Sequence, residues 1–134
     1  MTGTRGSVRR QVRIARRPAD VWAIVGDAAR ITEWFPGITD ATVDGRTRVI
    51  TTGAGIPMPE EIVTVDPVQR RFQYRITAPM FREHLSTIDV LDLGDGTSLV
   101  VYAADADPAT MALVIAGAAG SALEYLRTIM EGDG

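Results

Sequence analysis

Glu60, Tyr74, His84 and Ser86 are the side chains in this 134-residue chain whose types and spacing could do chemistry in an apolar interior. A carboxylate or an imidazole can take or give a proton, and a phenol can orient a developing oxyanion. His84 is the one histidine, and an unperturbed imidazole titrates near ~6.5. His84, Ser86, Ile88 and Val90 recur at period two, so they share one face of a strand, and its apolar end turns that face inward. A histidine held by a neighbour at a cavity rim is the alternative to a catalytic one. Phe72, Tyr74 and Ile76 make a second such face. Glu60 and Glu61 compete for the interior. Alternation groups Glu60 with Ile62 and Thr64, and Glu61 with Val63 and Val65, so the valines argue for Glu61. Neighbouring strands lie about 4.8 Å apart, so a Tyr74 strand between those of Glu60 and His84 separates the two by roughly 10 Å. They cannot form a direct dyad, but they could meet two ends of one ligand, with the Tyr74 hydroxyl between. Tyr102 has an ambiguous facing, and Arg48, Arg75 and Asp105 read as outward.

Composition removes other chemistries. There is no cysteine and no lysine, and all fourteen basic residues are arginine. Thiolate, disulfide and Schiff-base chemistry are thereby excluded. One histidine cannot build a multi-histidine metal site, and no cofactor motif is present: Gly53-Ala54-Gly55 precedes a strand, not a helix, so it is no phosphate cradle. The net charge of −3 argues against nucleic acid as a partner. Six arginines lie within the first 17 residues, and a solvated strand face explains them more simply than an anion-binding patch. The first residues lack the apolar segment of a signal peptide. The longest uncharged run, Pro108 to Leu123, reaches roughly 24 Å as a helix, short of the ~30 Å that a membrane span needs. A cytoplasmic protein is the expectation.

The elements that must position these residues follow from periodicity and turn signals. The chain reads as a single domain over 1–134, with 1–7 a frayed tail. Val8, Val12 and Ile14 alternate with polar residues in a first strand. Pro18 opens a short helix to Gly26, and Asp27 caps a second one that runs to about Trp34. Turn residues every ten positions or so then bound six strands: 38–43, 46–52, 60–65, 70–77, 82–92 and 97–106. The last element is a long helix from Asp107 to Met130, with Asp107 as its N-cap, Pro108 in its first turn and Gly132 as its C-terminal cap. Met111 to Ala116 are all apolar, which predicts a helix buried all round. Gly117-Ala118-Ala119-Gly120-Ser121 then leave either volume or room for close approach. The sum is an α+β domain: a seven-stranded antiparallel sheet curled around one helix.

That order, with D-V-W (20–22), E-W-F-P-G-I (33–38), G-A-G-I-P-M-P (53–59) followed by Glu60, D-P-V-Q-R-R-F-Q-Y (66–74), H-L-S-T-I (84–88) and G-D-G-T (94–97), resembles the helix-grip fold. The resemblance is to the START/Bet v 1-like (SRPBCC) superfamily, nearest its polyketide cyclase/dehydrase-like branch, with the plant abscisic acid receptors as distant relatives. It covers about Val8 to Met130 and implies a cavity between the sheet and the last helix. It also implies an inward Glu60, against the alternation. The receptors' carboxylate-fixing lysine falls on Thr39 here, a departure that weighs against acidic ligands. The implied lining is Trp34 and Phe35 from the second helix, Met58 from the loop, Glu60, Tyr74, His84 and Ser86 from strands, and Ile115 and Ala119 from the last helix. Ile56, Met58, Met80 and Phe81 on loop tips would form the mouth; packing against the long helix or a homodimer contact is their other use.

Three functions fit these expectations. The first is binding of a small hydrophobic or aromatic ligand. The second is an enzyme acting on a polyketide-like molecule, with His84 or Glu60 as general base and Tyr74 orienting an enolate oxygen. The third is an interaction protein that uses the fold without a ligand.

Overall fold

A computed structural model describes residues 5–132. The elements run β1 (Gly6–Ile14), α1 (Pro18–Val25), a 3-10 turn (Ala28–Arg30), α2 (Ile31–Trp34), β2 (Ile38–Asp44), β3 (Thr47–Thr52), β4 (Pro57–Asp66), β5 (Arg71–Ile76), β6 (Glu83–Asp92), β7 (Ser98–Asp107) and α3 (Ala109–Glu131). The sheet order is β1-β7-β6-β5-β4-β3-β2, antiparallel at every pairing. This is the helix-grip architecture expected. Short turns keep β2 to β7 in sequence order, while the two helices after β1 carry the chain to the far edge of the sheet. Asp27 caps the turn that leads into α2 by accepting from the Ala29 N–H at 3.1 Å.

Several boundaries differ from the sequence reading. The expected tail at 1–7 is shorter: Gly6 and Ser7 already pair with Ala106 and Asp105, and residues 1–4 lie outside the described residues. β4 starts at Pro57, so Met58 is a strand residue opposite Ile50, not a loop tip. Asp107 belongs to β7, where it holds Arg82 at 2.9 Å, and Pro108 takes the N-cap position with no side-chain cap. Gly132 closes α3 in right-handed geometry, φ −66°, through its N–H to the Thr128 carbonyl, so glycine's left-handed freedom is unused.

The seam between α3 and the strands β1 and β7 decides the shape of the interior. Ala112, Ala116, Ala119 and Ala122 are all buried, at helical spacing, on the face turned to the sheet. Gly6 completes the seam. A Cβ there would lie 2.8 Å from the Ala112 Cβ and 3.0 Å from the Ala109 carbonyl oxygen. The expectation of a helix buried all round fails. Leu113 and Val114 are 66% and 61% exposed, because a helix resting on one side of a sheet buries a stripe and not its circumference. Gly117 faces open space and Gly120 lies against the stem of Arg10, so neither glycine creates volume inside. By length and composition α3 could cross a bilayer, but Ala112, Ala116, Ala119, Ala122, Leu123 and Leu126 are buried in the domain core.

The arginines of the first strand follow the simpler reading. Arg9, Arg10 and Arg13 are exposed on β1, an edge strand that charge protects from pairing with other chains. The seam itself is open to test. Gly6→Val should cost about 1–3 kcal/mol by overpacking, read as a lower urea midpoint with unchanged slope. An unchanged midpoint would show that α3 does not depend on this close approach.

Candidate ligand cavity

Beyond the alanine seam, the inner face of β2 to β5 curls away from α3 and leaves a cavity of about 280 Å³. That is near the lower bound for small-molecule sites, roughly 300 Å³. One wall is Ile31, Phe35, Pro36 and Ile38, where α2 passes into β2; the floor is Ile50, Met58, Glu60, Tyr74 and Ile76. Met80 and Phe81 close one side, and Met111, Val114, Ile115 and Ala118 of α3 form the roof. Polar side chains in this lining are Glu60, Tyr74 and Thr52. A larger groove of about 350 Å³ lies on the outer sheet face beside His84. Its arginines are each tied to a carboxylate: Arg5 to Glu83, Arg75 to Glu61 and Arg82 to Asp107. Asp105 also lines it, and it lacks apolar enclosure, so the inner cavity is the candidate site.

Of the side chains expected to line the site, Phe35, Met58, Glu60, Tyr74 and Ile115 do so. Trp34, His84, Ser86 and Ala119 lie outside the cavity wall. Trp34 and Phe35 are adjacent at the end of a short helix, their ring centroids 5.7 Å apart, and only Phe35 reaches the cavity wall. Trp34 enters the core, 2% exposed, with its ring 6.3 Å from that of Tyr102. Ala119 sits one turn beyond Ile115, within the buried seam. Of the expected mouth residues, Met80 and Phe81 take part, while Ile56 stands 55% exposed and apart.

Glu60, not Glu61, faces inward. Glu60 is 3% exposed, whereas Glu61 is on the outer face with Arg75. The misleading alternation has a physical cause. The register of β4 against β5 shifts between Ile62 and Thr64, a bulge that inverts the phase of the strand. Val65 therefore pairs with Phe72 but stands 49% exposed, so the valines do not mark a buried face.

The residue that the sequence reading missed is Arg48. Its sequence neighbours read it as outward, yet it is 2% exposed and stands opposite Glu60 in the β3–β4 register. Its Nε donates to Glu60 Oε1 at 2.7 Å and its Nη1 to the Ala28 carbonyl at 3.1 Å. Nη2 has no hydrogen-bond partner among the described residues. The guanidinium instead lies 5.3 Å and 5.1 Å from the ring centroids of Phe72 and Tyr74, where the negative ring faces attract it. Two signals in the sequence could have found it: Ile50 two residues on, and an opposite charge at the paired position. Burial pushes the Glu60 carboxyl above its ordinary range, while the charge and hydrogen bond of Arg48 pull it back. Removing one partner from such a pair typically costs about 3–5 kcal/mol.

His84 is spent on structure. Beyond Tyr74 and Ser86 the backbone pairing of β5 with β6 stops, and the His84 ring fills the gap. Its Nδ1 accepts the Ile76 N–H at 2.7 Å, which places the proton on Nε2, 2.7 Å from Ser86 Oγ. The Tyr74 and Tyr102 hydroxyls bond to each other in the core. Burial raises both phenols, Tyr102 the more strongly. With both ring nitrogens engaged, His84 has no lone pair to offer as a base. Burial, with Arg75 adding, lowers its pKa to about 4, against a smaller upward pull from Asp105.

The sign of the linkage follows. Between pH ~6.5 and ~4 the unfolded chain takes up a proton that the folded chain refuses, so His84 costs stability as pH falls through that window, up to about 3 kcal/mol. His84→Gln should remove that part of the acid sensitivity. Urea unfolding at several pH values between 4 and 7.5 measures it, and parallel profiles for the two proteins would disprove the assignment.

Fold and cavity together define a helix-grip domain with an apolar interior cavity. The chain belongs to the polyketide cyclase / dehydrase and lipid transport family, whose model matches residues 5–131. No curated protein sequence matches it. Among solved structures it is similar to protein XoxI from Bacillus cereus, at 21% identity and TM-score 0.89, covering 96% of this chain and 99% of that one. It is also similar to norcoclaurine synthase from Thalictrum flavum, at 12% identity and TM-score 0.75, covering 97% and 88%. A third likeness is to the di-domain ARO/CYC protein BexL, at 16% identity and TM-score 0.77, covering 90% of this chain and 45% of that one. At these identities the likeness is one of fold.

Proposed function

We propose that this protein binds one small, mostly apolar molecule between α3 and the inner face of β2 to β5. The observation that carries the reading is the cavity itself, about 280 Å³ and walled by apolar side chains with Glu60 on its floor. A cavity of roughly 150 Å³ holds one benzene, so a molecule of one or two rings fits the space. Met58, Met80 and Met111 lie in the wall, and methionine adapts to ligand shape at low cost.

An enzymatic reading of the same site rests on Glu60. Its carboxyl is raised by burial, which brings a carboxylate closer to the range useful for a general base. The solved relatives include a norcoclaurine synthase and an ARO/CYC protein, so ring-forming chemistry on a polyketide-like molecule is the second candidate. His84 drops out as the base, because Ile76 and Ser86 occupy its nitrogens.

Ala118 offers a clean test. It lines the cavity but is exposed on α3, so Ala118→Phe should fill the roof while leaving stability within about 0.5 kcal/mol. A ligand at 100 times its Kd should stabilise the wild type by about 2.7 kcal/mol, read as a rise in melting temperature, and the variant by much less. Equal stabilisation of both would place the ligand elsewhere. Turnover of the bound molecule that vanishes in the double variant Arg48→Met with Glu60→Leu, while binding persists, would favour the enzyme.

A further inference from the structure

We infer that the ligand is an electrically neutral molecule that donates a hydrogen bond, through a hydroxyl or phenol group, to Glu60 Oε2. This rests on the cavity being the binding site. Glu60 Oε1 is taken by Arg48 Nε at 2.7 Å, while Oε2 accepts no hydrogen bond among the described residues. The carboxylate lines an otherwise apolar cavity at 3% exposure. A carboxylate oxygen on an apolar cavity floor with no protein donor is poorly solvated, and a ligand donor improves that.

The same geometry rejects charged ligands. Arg48 is not part of the cavity wall. Its guanidinium lies behind Glu60, bonded to that carboxylate and to the Ala28 carbonyl and held over two aromatic rings. A ligand carboxylate would meet Glu60 oxygen to oxygen, with no cation within the lining. Tyr74 gives no relief, since its hydroxyl is bonded to that of Tyr102. An ammonium fares little better. Arg48 and Glu60 already balance each other, so a further cation leaves net charge in an apolar space, and its three N–H groups find one free carboxylate oxygen.

Four two-ring probes separate these cases at pH 7 by calorimetric titration: naphthalene, 2-naphthol, 2-naphthoate and 2-naphthylmethylammonium. The expected result is 2-naphthol at least tenfold tighter than naphthalene, with both ions weaker than naphthalene. Glu60→Gln alone would strand the Arg48 charge, so the informative variant is the double replacement Arg48→Met with Glu60→Leu. It should keep naphthalene binding within about threefold and lose the preference for 2-naphthol. Naphthalene binding without a 2-naphthol preference in the wild type, or a preference that survives in the double variant, overturns the inference and leaves the cavity reading standing. Tighter binding of either ion than of 2-naphthol overturns it likewise. Failure of all four probes to bind overturns both.

Discussion

How closely α3 approaches β1 and β7 governs the rest of the molecule. Alanines at helical spacing face the sheet, and Gly6 gives up even its Cβ where the helix begins. A rigid helix seated this tightly on two neighbouring strands cannot also follow a twisted sheet across five more. The sheet curls away beneath its free half, and the space that opens is closed by α2 and by Met80 and Phe81. The cavity is thus a geometric consequence of a close contact elsewhere. The small residues of α3 act chiefly by permitting contact: the buried alanines make the seam, and Gly117 faces solvent.

Into that interior the strands deliver one ion pair. Arg48 and Glu60 sit opposite each other on adjacent strands, both nearly free of solvent. Each charge alone would be too costly there. Together they leave one Glu60 oxygen and Arg48 Nη2 without hydrogen-bond partners among the described residues, with Glu60 on the cavity floor and Arg48 outside its lining. Phe72 and Tyr74 hold the guanidinium on their faces. The same tyrosine thus serves as cavity floor, cation support and partner to Tyr102.

His84 shows how a residue with reactive chemistry can be consumed by architecture. Where β5 and β6 separate, its ring stands in for a missing backbone acceptor and takes the Ile76 N–H. The imidazole must stay neutral to do so, since a protonated Nδ1 cannot accept. Burial and the nearby Arg75 hold it in that state. The same residue therefore ties stability to pH while standing outside the cavity wall.

Element order, strand count and the antiparallel sheet were legible in the sequence, because alternation and turn residues are local and recur along the chain. Tyr74 and Phe72 could be faced inward from the same local pattern. The choice between Glu60 and Glu61 could not, since a bulge between Ile62 and Thr64 inverts the alternation and leaves no trace in residue type. Nor could the burial of Arg48, which is tolerable only because Glu60 arrives opposite it on another strand. The exposure of Leu113 and Val114 was hidden as well: hydrophobicity shows which faces can be buried, not how many have a partner. Local pattern determined the elements and the inward face of β5. Tertiary contact alone decided where the charges went, whether the histidine was free and where the interior stayed open, because each depends on residues distant in the chain meeting at a few ångströms.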